Sequence, residues 1–350
     1  SQVVNTLDLT YFPSERGPYN FNTNTAPDNT IPNPGDNFGG IYRALNSTNF
    51  EQSNIEYIQF WMMDPFNEDY KLETDSAFDK NQLPSGDLYI NLGNMSEDIV
   101  KDGRMVYENG LRGTSIYSKD HAVDTNAVAI VPLLAPTINA FSQDQNDRPF
   151  QDVGYDGYDD IEEQGLEALY GSLPDPANDN YTYFLNTDGD LFERYKRYNG
   201  TQGNSPETFT DTNRGNTTQP DVEDINRDNT MNTIDSYFEY ELDISPTDLN
   251  IDNPFIVDIK DSEARLLANG GTVVPVWYQF RVPVAEFTSN VGGIADLRSI
   301  RFARMYVKDF TEPTIFRFGS LDLVRSEWRR YGQTLDDDGG DPSLDPTIFT

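Results

Sequence analysis

A chain of 350 residues with 36% hydrophobic and 13% aromatic side chains is long enough for one large domain or two ordinary ones, and apolar enough to bury a core. Its 25 Lys+Arg stand against 59 Asp+Glu, a formal net charge of -34, which excludes nucleic acid as a partner and disfavours anionic membrane surfaces, because both bind through basic patches. The absence of Cys removes disulfides, thiolate metal sites and a Cys nucleophile, and no run of about 18 apolar residues exists to cross a bilayer as a helix.

The chain opens on Ser1-Gln2-Val3-Val4, without the basic and apolar pattern of a signal peptide. If exported, the sequence is a mature chain or an internal piece. Aromatic and β-branched residues then come in short runs punctuated by Gly, Pro, Asn and Asp, the rhythm of strands and turns. Residues 55–60 (IEYIQF) alternate apolar and polar and run on through 61–66 (WMMDPF). Gly86-Asp87 opens a second strand over 88–92 (LYINL). Ser96-Glu97-Asp98 predicts a capped helix to about Glu108, closed by Asn109-Gly110. Two more helices are predicted at 161–170, ended by Gly171, and at 191–198, ended by Asn199-Gly200. Strand patterns return at 274–282 (VPVWYQFRV), 300–307 (IRFARMYV), 314–318 (TIFRF) and 321–324 (LDLV), as though two antiparallel halves shared one layout. Trp61, Trp277 and Trp328 sit in or beside these patterns, which favours core packing over stacking on sugars.

Between the strand-rich parts, residues 141–240 carry 22 acidic and 6 basic side chains. The predicted fold is mainly β: an antiparallel β-sandwich of jelly-roll type with an acidic, partly helical insertion. Residues 1–140 supply the first half of the sandwich and 236–332 the second. Residues 141–235 form the insertion, and 333–350, rich in Asp, Gly and Pro, form a linker or tail.

The insertion also holds the site candidates. Numbered from Asp224, oxygen side chains fall at positions 1, 3, 5, 9 and 12, as Asp224, Asn226, Asp228, Asn232 and Asp235. Thr230 at position 7 offers its carbonyl. This spacing wraps hard oxygen ligands around Ca²⁺ in an EF-hand-like loop, and calcium is the predicted, structural cofactor. Position 6 is Asn229 in place of the usual Gly, and position 12 is the shorter Asp. The alternative is an Asx-rich turn satisfied by its own backbone. A second loop places Asp152, Asp156, Asp160 and Glu163 at positions 1, 5, 9 and 12, with Gly157 at the sharp turn and a helix following. Residues 186–190 (NTDGD) are a third fragment without a distal acid, better read as a plain turn.

Catalysis has little to build on. His121 is the one histidine, lies in a polar stretch, and cannot form an imidazole zinc site; no Gly-x-Ser-x-Gly elbow accompanies it. Among 59 acids a glycosidase-like carboxylate pair is expected by chance. No enzyme is predicted.

Six stretches, 11–21 (YFPSERGPYNF), 60–66 (FWMMDPF), 86–94 (GDLYINLGN), 193–200 (ERYKRYNG), 220–232 (PDVEDINRDNTMN) and 299–305 (SIRFARM), resemble the SprA/Sov family, the outer-membrane translocon of the bacterial type 9 secretion system. The resemblance implies a very large β-barrel that conducts folded cargo, with soluble insertions at its mouth. This chain, lacking a membrane-strand girdle, would be one such insertion, at the cell surface in an extracellular cap rather than in the periplasm. The implied partners are the partner outer-membrane barrel, the plug protein and the secreted cargo. The family brings no catalytic residues and does not itself imply calcium. The rival reading is a calcium-stabilised carbohydrate-binding or adhesive module on the same sandwich.

Overall fold

A computed structural model describes residues 5–17, 30–66, 85–107, 222–267 and 270–325, together with residues 20, 26, 28, 123–125, 130–132, 155–158, 160–165, 175–178 and 189. In chain order the elements are β1 (Leu7–Tyr11), a 3₁₀ turn (Pro34–Asp36), β2 (Phe38–Ala44), β3 (Ile55–Met63), β4 (Gly86–Asn94), β5 (Val123–Thr125), β6 (Ile130–Pro132) and α1 (Asp160–Gly165). There follow β7 (Ser236–Ile244), β8 (Ile256–Asp261), β9 (Arg265–Leu266), β10 (Thr272–Val273), β11 (Val276–Pro283), β12 (Ser289–Val291), β13 (Phe302–Lys308) and β14 (Thr314–Arg325).

Two five-stranded antiparallel sheets form the body, in the orders β1-β14-β3-β11-β8 and β12-β7-β4-β13-β2; β5-β6 and β9-β10 are small ribbons. The chain crosses between the large sheets at β1–β2, β2–β3, β3–β4, β7–β8, β11–β12 and β13–β14. That wrapping is the sandwich predicted from the sequence, with the helical part reduced to α1 among the described residues. Strands β1 to β4 pair with no strand of their own half. β1 lies on β14, β2 on β13, β3 between β14 and β11, and β4 between β13 and β7.

The core forms because each strand turns alternate residues inward. Phe60, Met62, Phe280, Val282 and Phe316 from one sheet meet Leu88, Ile90, Tyr240, Leu242 and Val307 from the other, all buried in one cluster. Phe60 stacks on Phe280 at 4.9 Å and meets Phe318 edge-on at 5.8 Å. Tyr240, 1% exposed, donates its hydroxyl to the Val284 carbonyl at 2.7 Å, so its polar end is satisfied inside the core.

Three expectations are corrected. Residues 96–107 contain no helix; the carboxylates of Glu97 and Asp98 bind backbone N–H groups, as described below. The segments 314–318 and 321–324 are one strand, β14, with a register shift between Phe318 and Leu321. Trp61 and Trp277 are half-buried on the outer face, not in the core. Phe60 and Met62 take the inward positions beside Trp61, and Lys260 lies over the Trp61 ring at 4.7 Å. The helix predicted at 161–170 is described only as Asp160–Gly165; Trp328 and the helix predicted at 191–198 lie outside the described residues.

Candidate functional site

β4 and β7 are neighbours in the sheet, yet the chain between them runs from residue 95 to 235. Where that excursion leaves and returns, two segments, 95–107 and 222–235, are tied together by two buried glutamates. Glu97, 3% exposed, donates its N–H to the Asn232 carbonyl at 2.7 Å. Its carboxylate accepts the Ile225 N–H at 2.8 Å, the Asn232 N–H at 3.0 Å and Asn232 Nδ2 at 2.6 Å. Glu223, 2% exposed, works in the opposite direction. Its N–H donates to the Val106 carbonyl at 3.1 Å, and its carboxylate accepts Ile99, Val100 and Val106 N–H at 2.7, 3.0 and 2.9 Å. A β-bridge between Tyr107 and Val222 extends the tie. Burial pushes the Glu223 carboxyl up to about 7, against the pull of those three N–H groups, and Asp98 adds to the push.

This neck rests on the outer face of the sheet. Tyr42 donates its hydroxyl to the Met95 carbonyl at 2.9 Å, and Phe302 packs 5.1 Å from the Tyr42 ring with no exposure at all. Asp98 accepts the Asp102 and Gly103 N–H groups, and Asp102 accepts that of Arg104. Those carboxylate turns, with Lys101 at φ 58 and Gly103 at φ 74, explain why a helix does not form here.

The predicted calcium loop is the return limb of the neck. Asn229 adopts φ 62, the left-handed turn expected at position 6, and Arg227 adopts φ 56. Asp224 is buried and takes the N–H groups of Asp228 (3.1 Å) and Asn229 (2.8 Å). Asn226 accepts the Asp228 N–H at 2.9 Å, and exposed Asp228 accepts the Thr230 N–H at 2.9 Å. Asp235 accepts the Ser96 N–H at 3.0 Å, away from the turn. Arg301 donates to Asn232 Oδ1 at 2.9 Å and Asp228 Oδ2 at 3.2 Å. Asp224, Asn226, Asp228 and Thr230 are thus gathered into one turn held by backbone donors, and a cation at Asp228 and Asn232 would compete with Arg301. Hydrogen bonds from Thr230, with smaller help from Asn226 and Arg301, hold the Asp228 carboxyl below its usual range.

In the second loop Gly157 has the φ of 74 expected at the sharp turn. Asp156 is buried and accepts the Tyr158 N–H at 3.1 Å; Glu163 is buried and accepts the Ala177 N–H at 3.0 Å. Asp152 and the Asp160 side chain lie outside the described residues, as do His121 and 186–188 of the third fragment.

One arrangement had no signal in the sequence. Register sets Asp87 of β4 opposite Asp243 of β7, and the carboxylate oxygens of Asp87, Glu241 and Asp243 come within 4.8 Å of one another. Asp87 and Asp243 edge an open pocket of about 450 Å³ lined also by Ser245, Thr247, Asp248 and Asp309. Burial, then the nearby carboxylates of Asp243, Asp309 and Glu241, raise Asp87 to about 6. These oxygens could hold a hard divalent cation. Beside them Tyr89 donates to Glu241 at 3.0 Å and stacks on Tyr306 at 4.7 Å. Tyr306 donates to Glu239, which also accepts Asn91, itself bound by Arg304.

A family model described as SprA_N, motility related/secretion protein, matches residues 157–345, more than half of the chain. The chain belongs to this family. No curated protein matches it. In this SprA_N member the matched span holds α1 and β7 to β14, whereas β1 to β4 lie before it. The neck joins the two: Glu97 precedes the matched span and Glu223 lies inside it. Among the described residues no helix is long and apolar enough to cross a membrane.

Proposed function

We propose that this chain is a structural and gating domain of the type 9 protein-secretion translocon, a soluble cap at the extracellular mouth of the outer-membrane pore. The single observation that carries the reading is the match of residues 157–345 to a motility- and secretion-related family. The architecture supports it. A sandwich closed by strands from both sides of a long excursion is a stiff body, and the Glu97–Glu223 neck clamps that excursion at its base. A stiff body closed at such a neck suits a part that holds or blocks a passage, and a net charge of -34 keeps such a part hydrated. Its partners in this role are the partner barrel, the plug protein and passing cargo; its role is not enzymatic. Calcium at 224–235 is part of the proposal as a structural ion that displaces Arg301 from Asp228 and Asn232.

A carbohydrate-binding role is the second reading, favoured by Trp61 and Trp277 on the outer face of the sheet. One comparison separates the two. Deletion of residues 5–325 in place within the full-length protein should leave the barrel in the membrane and cargo inside the cell, while the isolated chain captures nothing on a glycan array. Normal secretion by the deletion, with glycan capture by the chain, would reverse the assignment.

A further inference from the structure

The four edges of the two large sheets are not equally guarded. β12 has three residues, and β8 carries a register shift and the Asp258–Lys260 ion pair. On β1, Asp8 is clamped by Arg317 at 2.6 Å. Short length, irregular pairing and edge charges all discourage the addition of another strand. β2 has seven residues paired to β13 without a shift, no Pro, and among the described residues no strand on its other side. Its alternate N–H and C=O groups therefore face outward. Phe38 is 70% exposed and Ile41 40% exposed, and Gly40 is exposed while Gly39 is half-buried against the Tyr11 ring. Gly40 has little freedom to become anything larger, because a Cβ there would lie 2.4 Å from the Met305 carbonyl oxygen.

Charge decides the occupant. A second copy would bring another -34 to the contact. Asp36 lies two residues before Phe38, Asp309 follows the Lys308 that pairs with Phe38, and Asp87 pairs with the same Lys308. We infer that β2 accepts an extended polypeptide segment of another protein as an added strand, with basic side chains toward the Phe38 end. The inference stands on the sheet edge and holds whether or not the secretion reading does.

The test uses the full chain and an eight-residue peptide of alternating Lys and Val, titrated by fluorescence anisotropy and mapped by hydrogen exchange. A second peptide with two Val replaced by Pro has the same charge and cannot pair as a strand. The Lys–Val peptide should slow exchange at residues 38–44, and the Pro peptide should bind about tenfold more weakly. Phe38→Ala, at a solvent-exposed position, should weaken the Lys–Val peptide by about the same factor. Equal binding of the two peptides, or protection elsewhere than β2, would overturn the inference as non-specific charge attraction. Protection of β2 that grows with protein concentration in the absence of peptide would overturn it in favour of a second copy.

Discussion

Glu223 binds three backbone N–H groups in a place where its charge is poorly solvated, and the balance sets a pH dependence. Its folded value of about 7 lies above the ordinary 4.5, so the folded chain holds a proton that the unfolded chain releases first. The stability this contributes is full below about pH 4.5 and is lost as pH rises through 7, by about 3 kcal/mol at most. Asp87, raised from 3.8 to about 6, acts with the same sign over a lower window. Melting temperature should therefore fall between pH 5 and 8. Glu223→Gln should keep two of the three N–H bonds, lower the melting temperature throughout, and flatten that slope. A slope unchanged in the variant would assign it to other groups. Glu97→Ala should cost about 2 kcal/mol in urea unfolding, because the half-buried Ile225 and Asn232 donors lose their acceptor. Calcium belongs to the same scale. Millimolar CaCl₂ should raise the melting temperature and EGTA should reverse it, with a larger response in Arg301→Gln, which frees Asp228 and Asn232. No response in either protein would remove calcium from the account.

Among the elements, β3, β4, β11 and β13 were readable because their inward residues are large and their outward ones polar, as in Ile58-Gln59-Phe60. β7 (SYFEYELDI) alternates as clearly, but the acidic stretch that runs to residue 240 hides its start. In β2, Gly39-Gly40 erases the alternation at its centre. The neck could not be read locally: the partners of Glu97 and Glu223 lie more than a hundred residues away in sequence. The acidic pocket follows from the β4–β7 register, which sequence spacing does not encode. The calcium-loop spacing did mark the left-handed Asn229, while the Arg301 contact, from another strand's approach, was invisible. Gly292 shows what local backbone demands. It has φ 65, and a Cβ there would fall 1.9 Å from the Asp235 carbonyl oxygen where β12 approaches β7. Gly292→Ala should destabilise the chain by about 2 kcal/mol or more, read as a lower urea midpoint with an unchanged slope. A midpoint equal to the parent's would show that β12 moves freely.

At the scale of the molecule, the pairing pattern makes each half dependent on the other. Residues 1–140 expressed alone should be insoluble or molten, since β1 to β4 have no partners among themselves. The charge of -34 should keep the whole chain from shifting DNA in a gel at physiological salt. The central claim is that strands on both sides of the excursion form one unit, closed at the Glu97–Glu223 neck. Native-state hydrogen exchange of the full chain in rising urea tests it most directly. The amides of β4 before the excursion and β7 after it should open with the same free energy and the same urea dependence. Exchange of β1 to β4 through a separate, lower-energy opening while β7 to β14 stay protected would contradict it.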